Sequence, residues 1–259
     1  MEISIDQLLS GKATQIKNKE YYETARYVEP FLEKMSKLTD NFIVNVKLPD
    51  QVTKTKDGHL STTDITYNRV WIQAVLPDEY NVANHSEVLG FLYGIDVRKP
   101  VVKFYRGNIN NACTNLCVFN PSHLKVSPFE AESALDYKPV DYLINQASEI
   151  RDFLNKLNNT YFSYSDEMIE KLLGHWIRRS INDSYNVGYG TVKISADTPI
   201  NVYKMLIEDP ESPYYIPRGE DISMFKVYNA FTELITHDKD KDIINKPEKT
   251  LLLKNILSI

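Results

Sequence analysis

Long apolar runs are missing from this chain. The longest, residues 88–95 (Val-Leu-Gly-Phe-Leu-Tyr-Gly-Ile), falls far short of the ~20 residues that cross a bilayer as a helix, so no membrane span is expected. Cysteine is nearly absent as well. Cys113 and Cys117 are the only two, and a bridge between positions so close would constrain little of the unfolded chain. Reduced thiols are therefore expected. Positive charge is not in surplus either: 30 Lys and Arg stand against 35 Asp and Glu, a net charge of −5. That excludes a surface coated throughout in nucleic-acid-binding charge but leaves room for a local basic face. The first residues, Met1-Glu-Ile-Ser-Ile-Asp6, lack the basic and apolar regions of an export signal, and the expected location is the cytoplasm.

Glycine is scarce, with nine in 259 residues, and the phosphate-binding loops that depend on it are incomplete. Ser10-Gly-Lys-Ala13 lacks both the leading glycine and the closing hydroxyl residue, and Gly188-Tyr-Gly190 has Lys193 where a dinucleotide fingerprint needs its third glycine. No serine stands in a G-x-S-x-G elbow. The acidic run Asp238-Lys-Asp-Lys-Asp242 opens like a calcium loop, but Ile243 replaces the required glycine and Lys249 the bidentate glutamate. Cys113, Cys117 and His123 supply three zinc ligands with no fourth nearby. The five histidines are scattered, and His175 beside Trp176 reads as structural. No catalytic residue, cofactor or metal site is expected, and a binding protein is the class favoured over an enzyme.

What remains is an ordinary globular composition. Hydrophobic residues make up 42% and charged residues 25%, enough apolar surface for a large core. The length suits a single domain over residues 1–259, and a shift in character around 128–138 offers a division into 1–127 and 139–259 as the alternative. Within residues 16–38, Tyr21, Ala25, Val28, Phe31, Leu32, Met35 and Leu38 recur at spacings of three and four, predicting a helix. The runs 42–48 and 65–72, on either side of Lys56-Asp-Gly58, predict an antiparallel hairpin. Residues 99–105 read as a further strand. The later part is mainly helical, with helices predicted over 140–157, 166–181 capped by Ser165, 200–207, 223–236 and 248–257. The fold class is therefore α+β: an N-terminal helix and antiparallel sheet followed by a mainly helical half.

One stretch departs from the acidic background. Residues 97–126 contain Arg98, Lys99, Lys103, Arg106 and Lys125 and no Asp or Glu, interleaved with Phe104, Tyr105 and Phe119. Cations that follow a phosphate backbone, with a ring such as Tyr105 that stacks on bases, form a sequence-tolerant single-strand site. The alternative for the same residues is a strand whose cations face solvent while its rings fill the core.

The segment Phe104-Tyr-Arg-Gly-Asn-Ile-Asn-Asn-Ala-Cys-Thr-Asn-Leu-Cys-Val-Phe119 resembles the central motif of a phage- and plasmid-borne family, domain of unknown function 932. Cys113, Thr114 and Asn115 match its Cys-Ser/Thr-Asn element, and Leu116 stands where the family has glycine. Met224-Phe-Lys-Val-Tyr-Asn-Ala-Phe-Thr-Glu233 is similar to the family's late helix. The resemblance implies a mobile-element protein working in the host cytoplasm. Its setting is that of single-strand annealing recombinases, which bind single-stranded DNA as homo-oligomers without metal or nucleotide. A second reading comes from the acidic total and the 17 tyrosines: an inhibitor that binds a host protein through aromatic anchors.

Overall fold

The computed structural model describes residues 3–10, 24–47, 69–81, 85–94, 101–110, 116–122, 147–186, 191–237 and 246–257. The class is α+β, as the sequence predicts. Five strands, β1 (Phe42–Lys47), β2 (Arg69–Val75), β3 (His85–Gly94), β4 (Val101–Asn110) and β5 (Leu116–Ser122), lie side by side in chain order. The predicted hairpin is β1 and β2, paired antiparallel from Phe42↔Ala74 to Lys47↔Arg69. Its turn at Lys56-Asp-Gly58 lies outside the described residues. β2 pairs antiparallel with β3 from Arg69↔Gly94 to Val75↔Val88. The strand predicted over 99–105 is β4, and it runs on to Asn110.

The described residues group into two compact units. The first holds α1 (Ile5–Leu9), α2 (Thr24–Met35), β1, β2 and residues 87–94 and 101–106 of β3 and β4. Ser4 and Gln7 close a capping box at the start of α1, satisfying two of its free backbone donors. The amphipathic face of α2 places Val28, Phe31 and Met35 in the core. There the Phe31 ring meets Phe91 at 5.4 Å and Phe104 at 6.2 Å between centroids. Residues 70–76 of β2 and its continuation and 88–92 of β3 are buried without alternation, the signature of strands covered on both faces.

The second unit holds residues 85–86 and 107–110 of the same strands together with the helical part of the chain. Its helices are α3 (Ala147–Asn158), α4 (Asp166–Asn182), α5 (Asp197–Tyr203), α6 (Met224–His237) and α7 (Lys246–Ile256). Ser165 caps α4 as predicted, its hydroxyl accepting from the Met168 amide at 3.1 Å. The helix predicted over 200–207 starts earlier, at Asp197, and continues as a π turn through Lys204–Glu208. Leu154, Ile169, Leu172, Trp176, Val227 and Phe231 lie in one apolar core. No helix among the described residues is long and apolar enough to cross a membrane.

Candidate nucleic-acid interface

Side chains alternate along β4 with period two. Tyr105 and Ile109 fall on one side of the strand and Phe104, Arg106 and Asn108 on the other. Every residue from Phe104 to Ile109 is buried, on both faces of a strand that lies between β3 and β5.

Tyr105 is fully buried. A Cβ at Gly90 would collide with its ring, so the glycine in β3 is the space the ring occupies. The Trp71 indole donates to the Tyr105 hydroxyl, and the two rings meet edge to face at 6.3 Å and 73°. Burial pushes the phenol well above its usual range, opposed by a hydrogen bond with Gln73. The expectation that Tyr105 stacks on a nucleic-acid base is corrected here, since both the ring and its hydroxyl are engaged inside the protein.

Arg106 is 1% exposed, and its Nε donates to Glu87 Oε1 at 2.6 Å, with Glu87 3% exposed. Two opposite charges this deep must satisfy each other, because neither is solvated. Arg106 as a phosphate contact is corrected for the same reason. Lys103 lies on β4, while Arg98, Lys99 and Lys125 fall outside the described residues. Cys117 is on strand β5, and Cys113 lies outside the described residues.

Within the second unit, the ends of β3 and β4 supply two further buried polar residues. The Tyr228 hydroxyl donates to Asn108 Oδ1 at 3.2 Å, and His85 Nε2 is 3.0 Å from Asn229 Oδ1. An amide oxygen only accepts, so Nε2 carries the imidazole proton. Nδ1 is left as a bare acceptor with no partner among the described residues. The Phe225 ring closes on the imidazole at 4.9 Å. Burial lowers the His85 pKa from 6.5 to about 4, opposed by the hydrogen bond with Asn229. This arrangement holds a neutral imidazole in the core. Among the described residues no group of three or more His, Cys, Asp or Glu side chains could hold a metal ion.

That burial has a pH consequence. With the folded pKa near 4 and the unfolded one near 6.5, the unfolded chain binds more protons between those values. The stability contributed by neutral His85 is complete above pH 6.5 and falls as the pH drops toward 4, by up to about 1.4 kcal/mol per pH unit. Urea denaturation at pH 7, 6, 5 and 4 should show a steeper acid loss for the native chain than for His85→Gln, which has no proton to take up there. Parallel curves would contradict it.

His85, Glu87 and Asn229 were not singled out by sequence, whereas Asn108 opens the amide-rich run Asn108, Asn110, Asn111 and Asn115 of the acid-free segment. The available signal was a cluster of polar residues opening a strand that is otherwise apolar, His85-Ser-Glu87 before Val88. Comparison with known protein families, curated proteins and solved structures finds no match to this chain.

Proposed function

We propose that this chain is a phage- or plasmid-borne protein that binds nucleic acid, single-stranded DNA in the first place, in support of recombination or replication. The observation that carries the reading is the segregation of charge in residues 97–126, where five cations and no acid stand within a chain of net charge −5. Arg106 is matched internally by Glu87, which leaves Arg98, Lys99, Lys103 and Lys125 to meet phosphates. With Tyr105 in the core, the contact rests on charge rather than on ring stacking. Binding should then be tolerant of sequence and steeply dependent on salt. The mobile-element setting is supported by the resemblance of residues 104–119 and 224–233 to domain of unknown function 932. Those two segments are joined in the second unit by the bond from Tyr228 to Asn108.

The test is the affinity for single- and double-stranded oligonucleotides across a salt series. Lys103→Gln and Lys125→Gln should each weaken binding to all sequences alike. Each should also lower the magnitude of the log K against log[salt] slope by about 0.7–0.9. Absence of binding to either form at low salt would end this reading in favour of an inhibitor directed at a host protein.

A further inference from the structure

We propose that the outward face of α4 is a contact between two copies of this chain, packed antiparallel about Gly174. The proposal is independent of the nucleic-acid reading. Helix α4 has 17 residues, and Gly174 is its midpoint, with eight on either side. Its inward face buries Ile169, Leu172, Trp176 and Ser180. At 100° per residue the opposite side carries Glu167, Glu170, Gly174, Arg178 and Ile181, all exposed.

Three features of that face point to a second copy. The first is the glycine. Glycine is a poor residue for the middle of a helix, and among the described residues no close contact requires it at position 174. Its φ is not positive, and a Cβ there would meet nothing within 4 Å. A bare backbone at the centre of an exposed face does allow a second helix to approach more closely than the usual 8–10 Å between axes.

The second feature is apolar surface without cover. Ile181 is 54% exposed, one of the three exposed large hydrophobic residues among those described. It borders a shallow depression of about 310 Å³ shared with Gly174, Ile177 and Arg178.

The third is charge with mirror symmetry about the glycine. Glu170 stands four residues before it and Arg178 four after, each ~6 Å along the axis at 1.5 Å per residue. Arg179, the neighbouring cation, is engaged by Asp183 at 3.3 Å and by the carbonyl oxygen of Asn255. A two-fold axis through Gly174 therefore sets Glu170 of each copy toward Arg178 of the other, twice in one isologous contact. Parallel packing would oppose like charges instead. Glu167, Glu170 and Arg178 give the face a net charge of −1, a poor match for a phosphate polymer. Two helical faces bury less than the roughly 1,200 Å² from which stable specific interfaces start, so the dimer should dissociate on dilution.

The experiment is sedimentation velocity on the full chain over a concentration series, with circular dichroism as the check on folding. The mass should rise with concentration from one chain toward two, and 0.5 M salt should shift the midpoint to higher protein concentration. Gly174→Trp should hold the protein at one chain. Glu170→Arg and Arg178→Glu should each raise the dissociation constant at least tenfold. The double variant, with the signs exchanged but complementary, should recover most of that loss even if Gly174→Trp fails to fold. A chain that stays monomeric at every concentration would overturn the proposal. So would a dimer indifferent to both single charge reversals, or a double variant no better than either single one.

Discussion

Arg106→Met, with Glu87 left in place, should destabilise the first unit by about 3–5 kcal/mol, because it strands a carboxylate in the interior. The pair is 1% and 3% exposed and held at 2.6 Å, so neither member has water to fall back on. The cost measures the abandoned charge and not the worth of the bond. Accordingly, the double variant Arg106→Met/Glu87→Leu should lose much less than the single one and could equal the native chain in stability. Urea denaturation of the three proteins decides the matter. If Arg106→Met cost under about 1 kcal/mol, as expected of a surface arginine, the burial of this pair would be wrong. The exposed role expected of Arg106 from sequence would then return.

Phe231→Ala should cost about 3–5 kcal/mol through the cavity it leaves in the second unit. The ring is fully buried on α6 and meets Trp176 of α4 edge to face at 5.5 Å and 89°. Phe231→Leu keeps most of the volume and should cost clearly less. An alanine variant as stable as the native chain would mean that the α4–α6 contact does not hold this core together.

The helices were the legible part of this fold. Val227, Tyr228, Phe231, Leu234 and Ile235 share one face of α6 by their spacing, and all but the half-buried Leu234 are buried. Ser165 was readable as a cap because a hydroxyl there satisfies a backbone donor whatever the tertiary setting. The strands were harder, for a physical reason. β3 was seen only as the longest apolar run, since a strand buried on both faces shows no alternation to mark it. The same circumstance hid the fate of the candidate contacts. Lys103-Phe-Tyr-Arg106 only partly fits the alternation of a half-exposed strand, and the burial of both faces of β4 is what makes Tyr105 and Arg106 interior. Glu87, 19 residues away, is the partner that makes an internal arginine tolerable, and no local pattern links the two positions.

The membership of the second unit bears on how such a protein can change over generations. Two short stretches from the middle of the strand-rich half, including His85 and Asn108, belong with helices encoded much further along. Asn229 and Tyr228 hydrogen-bond to these two residues. The unit is thus not carried by one contiguous piece of gene. A crossover anywhere between the codons for residues 108 and 228 would join helices from one parent to strand ends from another. Lineages that exchange segments by recombination would be expected to inherit this region whole, or to keep those four positions compatible on both sides of the join.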